Sequence, residues 1–326
     1  MNDRAVSVLE NYDMEVNRTF KGRGTIICDT GKGLRVLKEY KGNTQKLELL
    51  DLLQSRVSET VRTDRLVRNK EGGLFCKDAD GEVYIVKEQL DGRECNYKNE
   101  EEILQAFRIM AKLHLAMHDT GEMANVIPIH YYVEEMEKHT KECKRIRNYL
   151  RKLKIKSDFE RELLKEYNYF MEKAEYITAQ AGREDQRIYE DYVRTNGFFC
   201  HGDYQYHNVV FMRNDLAVIN LERFAPDSGV RDFYLLFRKI SEKADWSLSL
   251  GEKMLAAYQT GRSFDRIEFK QLYYRLAYPD KFWKIVNFYY NSKKSLIPDK
   301  NMEKLENLVK QEMAKERLLK TLFGIE

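Results

Sequence analysis

Hydrophobic and polar positions follow a strand period over the first quarter of the chain and a helix period over most of the remainder. Val16 to Asp29 predicts two strands joined near Gly22 and Gly24, and the turn Thr30 to Gly33 leads into a third strand ending at Tyr40. Asn43 is placed to cap a helix from Thr44 to Val57, in which Leu49, Leu50, Leu53 and Val57 recur at helical spacing. A short run, Leu66 to Arg68, is followed by strands at Gly73 to Lys77 and Glu82 to Leu90 around the turn at residues 78–81. The order is strand, strand, strand, helix, strand, strand.

Beyond Leu90 the period changes. Asn99 to His118 carries Ile103, Ala106, Phe107, Met110, Ala111, Leu113 and Leu115 on one broad face, with His114 among them. Glu134 to Arg194 reads as two or three helical pieces, Trp246 to Tyr258 and Phe269 to Tyr290 as further helices with Pro279 breaking or starting one, and Met302 to Phe323 as an amphipathic last helix. These periods predict an α+β, two-lobed molecule: residues 1–90 form a small sheet lobe and residues 91–326 a large helical lobe.

Composition narrows the class. Hydrophobic residues at 43% and charged residues at 33% describe a folded chain with a highly charged surface. Only four prolines favour helices over a many-stranded sandwich. The 56 basic and 53 acidic residues nearly cancel, so global charge gives no reason to expect nucleic-acid binding. A local basic stripe does occur: nine Lys or Arg residues against the single Glu142 between Lys138 and Lys156. It reads first as a solvated helical face and second as a site for an acidic partner; aromatic residues do not interleave there as a single-strand platform requires. Cys28, Cys76, Cys95, Cys143 and Cys200 make no C-x-x-C pair and are expected to be buried thiols in a reducing compartment. No apolar run approaches the roughly 20 residues of a membrane span and the start is acidic and polar, so a cytoplasmic chain without membrane insertion is expected.

Candidate chemistry concentrates in residues 198–224. The string H-G-D-Y-Q-Y-H-N, His201 to Asn208, lies between apolar strands and keeps an Asp203 to Asn208 interval of five. Phosphoryl transfer from ATP needs a carboxylate to take the acceptor proton and a nearby oxygen to hold Mg²⁺, and an Asp–x₄–Asn loop supplies both. The hairpin Val209 to Ile219, turned at Asn214 and Asp215, delivers residue 220 beside that loop, where a metal-bridging Asp is expected and Asn220 stands instead. A neutral amide lacks the charge that holds a hard cation, so a weakened metal site is expected. Glu222 projects to the same side and either supplies a carboxylate or forms a structural ion pair. Lys38, at the end of the third strand, is the candidate for the ATP phosphates and Glu48 its candidate helix partner. Glu88, Gln89 and Leu90 would form the adenine-facing hinge, and Asp232 would either anchor the loop or cap the helix it precedes.

With these motifs, Pro226 to Asp232, and the tail from Tyr278 to Asn291, the chain resembles the aminoglycoside phosphotransferase and choline kinase-like branch of the kinase superfamily. Within it the chain is most similar to the CotS-type spore coat proteins. The resemblance implies a two-lobed kinase-like fold and assembly onto the spore coat from the mother-cell cytoplasm, with other coat proteins as partners. It implies Asp203 as catalytic base, Asn208 as a metal ligand and Lys38 as the phosphate-contacting lysine, while Asn220 departs from the Asp of the family pattern; His201 beside Asp203, Glu48, Glu88 and Leu90 at the nucleotide and Glu222 at the metal are expected from their positions in the chain. Two functions follow as expectations: a coat protein with a degenerate or weakly active ATP and Mg²⁺ site, or an active kinase for a small hydroxyl-bearing molecule.

Overall fold

The computed structural model describes residues 6–119, 127–129, 132–291 and 298–324. Strands β1 (Val16–Lys21), β2 (Ile26–Thr30) and β3 (Gly33–Glu39) form an antiparallel meander. Strand β5 (Val83–Glu88) lies beside β3, with the two-residue β4 (Cys76–Lys77) outside it, giving the sheet order β1-β2-β3-β5-β4. In this register Lys38 stands opposite Ile85 and Val36 opposite Lys87, so two lysines on adjacent strands lie two pairs apart. The expected strand from Gly73 is thus reduced to its last two residues.

Helix α1 (Lys46–Val57) begins two residues later than the spacing predicts, because Asn43 closes a tight turn first: its side chain accepts from Gln45 N and its carbonyl from Lys46 N, both at 3.0 Å. Leu47, Leu50, Leu53, Gln54 and Val57 form its buried face. The chain leaving α1 runs along β5 without becoming a strand of its own; Val67 N donates to Val86 O at 2.8 Å and Glu88 N to Arg65 O at 2.9 Å. It also reaches the other region, where Val218 N donates to Arg62 O at 2.9 Å.

The helical region opens with α2 (Glu100–Ala116), capped by Asn99, whose side chain accepts from Glu102 N. Helices α3 (Tyr132–Lys152) and α4 (Asp158–Ala181) form a hairpin, α4 opening with a Ser157/Glu160 capping box. Then come α5 (Arg183–Asn196), α6 (Val230–Lys243), α7 (Leu248–Gln259), α8 (Arg266–Ala277), α9 (Asp280–Asn291) and α10 (Pro298–Phe323). Pro279 falls between α8 and α9, where a missing N–H is tolerated. Phe233 is the hub of the core, within 5.1–5.3 Å, centroid to centroid, of Phe107, Phe237, Tyr258 and Phe264. The basic stripe is partly spent within the hairpin: Lys144 pairs with Glu175 at 2.8 Å, and Arg147 and Arg151 both donate to Asn168 Oδ1. All five cysteines are buried and free, and burial pushes the Cys200 thiol up, as befits an inert packing residue.

Between the two regions lie short strands that set out the site. β7 (Phe199–Cys200) pairs with β10 (Ala225–Pro226), while β6 (Arg93–Glu94), β8 (Val209–Phe211) and β9 (Leu216–Val218) form a small sheet in that order.

Candidate functional site: a cleft with an internal ion cluster

The loop from His201 to Asn208 is held from below by Asp232 in the first turn of α6. One carboxylate oxygen accepts from His201 N at 2.6 Å and from His114 Nε2 at 3.0 Å, and the other accepts from Gly202 N at 2.9 Å. Asp232 is therefore the loop anchor, and His114 is a packed core residue whose Nδ1 meets Tyr258 OH at 2.9 Å. Although burial works against the Asp232 charge, His114 and these donors keep its carboxyl below the usual range. Gly202 has φ +80 and a Cβ there would fall 2.0 Å from Arg223 O, so only glycine lets the loop pass under the turn at residues 221–223.

His201, expected among the catalytic residues, is placed otherwise. Its side chain is buried, Nε2 donates to Ile219 O at 2.8 Å and Nδ1 accepts from Asp203 N at 3.2 Å, so both ring nitrogens are consumed by backbone. It positions the loop against the chain leaving β9 and does not line the cleft. Asp203 projects into the cleft, its side chain 29% exposed, with Gln205 Nε2 2.7 Å and Arg223 3.5 Å from its oxygens. Asn208 folds back on the loop, donating from Nδ2 to Asp203 O at 2.8 Å.

Asn220, Glu222 and Lys38 meet, and they do so around a residue that the sequence pattern does not single out. Lys87 Nζ lies 2.5 Å from Asp64 Oδ2, 2.5 Å from Glu222 Oε1 and 2.9 Å from Asn220 Oδ1, so its three protons have three acceptors. Lys38 Nζ approaches the same Glu222 oxygen and the same Asn220 oxygen, each at 3.3 Å. Asp64 in turn accepts from Asn220 N at 3.0 Å. Lys87 is 1% exposed; burial opposes its charge, and Asp64 and Glu222 outweigh that and raise its pKa. Glu222 is also penalised by burial, yet Lys87 and Lys38 bring it down to about 2. Asp64 goes the other way, raised by burial and by the facing Glu222 charge despite its contact with Lys87.

These shifts make a stability prediction. The Glu222 pKa is depressed from 4.5 to about 2 in the folded state, so its contribution is complete above pH 4.5 and is lost as pH falls towards 2. Urea melts of the wild type and Glu222→Gln across that window are expected to converge as pH falls. A difference that stayed constant through the window would show that Glu222 is not so held.

The cleft over this cluster has a volume of about 870 Å³ and is lined by Lys38, Glu88, Leu90, Asp203, Asn208, Asn220 and Glu222, with the Gly22–Thr25 turn of the β1–β2 hairpin over it. Arg23 at the tip of that turn reaches Glu94 on β6 at 3.3 Å. Glu48 is not among the lining residues. It lies on the exposed side of α1, pairs with Arg68 at 3.2 Å, and is not brought to Lys38; Glu222 takes the place expected of it. The signal for Lys87 was its position in the run Val83 to Val86, since a lysine continuing a strand buried on both faces needs buried carboxylates. Its partner Asp64 comes from a connector that carries no period at all.

The oxygens expected to hold Mg²⁺ do not fit a divalent cation in this arrangement. Asn208 Oδ1 accepts from Asn220 Nδ2 at 2.9 Å, and Asn220 Oδ1 and Glu222 Oε1 each face two ammonium groups. A hard cation would compete for those oxygens against like charge. Among the described residues no cluster of three or more His, Cys, Asp and Glu side chains is arranged to hold a metal, and no helix is long and apolar enough to cross a membrane.

A family model described as "Spore coat putative kinase YutH" matches residues 6–322. The chain belongs to this family. Spore coat protein S of Bacillus subtilis (strain 168) is 21% identical over 318 residues, covering 92% of this chain and 87% of that protein. Among solved structures, an aminoglycoside phosphotransferase from Alicyclobacillus acidocaldarius superposes with a TM-score of 0.86 at 17% identity, covering 98% of this chain and 95% of the other. A spectinomycin phosphotransferase in complex with ADP and spectinomycin superposes with a TM-score of 0.64 at 11% identity, covering 96% and 98%. The amicoumacin kinase hAmiN, in complex with AMP-PNP, Ca²⁺ and Ami, gives 0.62 at 12%, covering 97% and 94%. The fold of this YutH-family chain is therefore the kinase-like aminoglycoside phosphotransferase fold, with a small sheet region followed by a helical one.

Proposed function

We propose that this YutH-family chain is a spore coat-associated protein that keeps the nucleotide cleft of its fold while having weak or no phosphotransfer. The observation that supports this reading is the contact of Lys38 with Asn220 and Glu222. The lysine suited to phosphates stands in the cleft with 29% of its side chain exposed, while the amide at the metal position is already engaged. Glu88 and Leu90 offer the hinge on one side and Asp203 faces the cleft on the other, so a nucleotide and a small hydroxyl-bearing acceptor both have a place. The protein would be made in the mother-cell cytoplasm and join other coat proteins at the spore surface, in keeping with its family and with its relative spore coat protein S.

The competing reading is an active kinase with Asp203 as base and Asn208 with Glu222 on Mg²⁺. The engagement of both those oxygens within the protein disfavours it. Calorimetric titration with ATP, in Mg²⁺ and in EDTA, separates the two. Binding of similar strength in both is expected, with Lys38→Ala weakening it roughly 10- to 100-fold for a lost charge-assisted contact. Binding seen only with Mg²⁺ would favour the active kinase, and the absence of heat under both conditions would remove the nucleotide from the reading.

A further inference from the structure

We infer that Lys87 is a built-in cation standing where the divalent metal of this cleft would otherwise be held, so that the charge of the site is balanced without one. This deepens the proposed function and depends on that reading only for the presence of a nucleotide above the cluster.

The charges of the cluster balance. Asp64 and Glu222 contribute two negative charges and Lys38 and Lys87 two positive ones, so the cluster sums to zero. With a carboxylate at position 220 and a neutral side chain at 87, three carboxylates would face Lys38 alone, leaving two negative charges for a divalent cation to cancel. Asn220 and Lys87 together remove that need. A further pair of positive charges in a buried, neutral cluster would carry its full desolvation cost with no carboxylate to offset it.

Geometry agrees with the count. The Lys87 ammonium is bound by one oxygen from each of three residues on two distant pieces of chain, Asp64 on the connector after α1 and Asn220 and Glu222 in the turn after β9. That is how a site holds an ion, except that this ion arrives on a side chain and cannot leave. Asn220 sits at φ 66 and ψ 47, a conformation open to Asn and Asp, and its Nδ2 is turned to Asn208 Oδ1, which leaves Oδ1 for the two ammonium groups. Lys38 alone keeps an exposed face towards the cleft, so an anionic ligand would meet a fixed ammonium and no exchangeable metal.

The test uses Mn²⁺ as the probe, without nucleotide, on the full chain and its Lys87→Met and Lys87→Gln variants, by electron paramagnetic resonance and thermal melting. Wild-type protein is expected to hold no Mn²⁺ and to melt at the same temperature in Mn²⁺ and EDTA. Lys87→Met is expected to melt lower in EDTA, to recover by several degrees in Mn²⁺, and to bind one Mn²⁺ per chain through a site lost when Glu222→Gln is added. Lys87→Gln serves the same purpose should the Met variant not fold. A wild-type Mn²⁺ site abolished by Glu222→Gln would overturn the inference. So would cooperatively melting Lys87 variants that bind no Mn²⁺, or variants that gain no cooperative transition in its presence. Failure of wild-type protein to bind ATP would leave these metal results standing and count only against the nucleotide reading.

Discussion

Asp232→Ala is expected to lower the unfolding free energy by about 3–5 kcal/mol, the scale of breaking a buried, hydrogen-bonded charge pair. The carboxylate is fully buried and receives His201 N, Gly202 N and His114 Nε2. Its removal strands all three donors where water does not reach, at roughly 1–3 kcal/mol each before relaxation. Asp232→Asn keeps one acceptor oxygen but sets an amide against backbone N–H groups, so its loss should fall between wild type and Ala. Urea melts decide this: the midpoint should drop with the slope unchanged. A change below about 1 kcal/mol for the Ala variant would mean that the loop is held by other contacts, chiefly His201 to Ile219. Because two of the donors, His201 N and Gly202 N, belong to the loop that carries Asp203, ATP binding should weaken along with stability.

The reasons why some of this was legible and some was not are local. Short-range signals read well: the glycine turn between β1 and β2, Asn99 at the start of α2 and Pro279 between α8 and α9 each act within a few residues of themselves. The H-G-D-x-x-x-x-N loop was legible because its spacing and its apolar flanks travel together, and Asn220 because a hairpin of readable length delivers it. The misreadings come from pairings across long stretches of chain. Glu48 lies within reach of Lys38 in sequence but on the wrong face of α1, whereas Glu222, 184 residues away, is the actual partner. His201 looks catalytic beside Asp203, and only the backbone leaving β9 shows that its nitrogens are spent.

Lys87 and Asp64 show the limit most clearly. Strand alternation treats a lysine next to Glu88 as the solvent end of β5, and the continuous apolar run Val83 to Val86 is the one sign in the sequence that the strand is covered on both faces. What covers it is the connector after α1, a segment without helical or strand period, held by Val67 and Glu88 to the sheet and by Arg62 to β9. A buried lysine is costly unless paired, so its burial and the placement of Asp64 and Glu222 are one event in folding, invisible to any reading that takes segments separately. The same event bears on chemistry, because the cluster sits directly under the cleft.

That dependence makes Asn220→Asp informative in a way the substitution alone would not suggest. The backbone at φ 66 accepts aspartate, so the change is purely electrostatic. The new carboxylate would replace an amide oxygen 2.9 Å from Lys87 and 3.3 Å from Lys38, and would lose the donor now given to Asn208. Two new ionic hydrogen bonds, at roughly 1.5–3 kcal/mol each, oppose the loss of one donor at roughly 1–3, so stability should hold or rise slightly. Activity should not follow, because the added charge goes to the two ammonium groups. Only when Lys87→Met accompanies Asn220→Asp do the carboxylates outnumber the ammonium by two. The double variant is then expected to show Mg²⁺-dependent ATP turnover roughly tenfold or more above either single variant, a barrier difference of about 1.4 kcal/mol. Release of ADP, followed with and without Mg²⁺ for all four proteins, reads this directly. Turnover in Asn220→Asp alone that equals the double variant would show that Lys87 leaves the metal position open, and that the amide by itself silences the site.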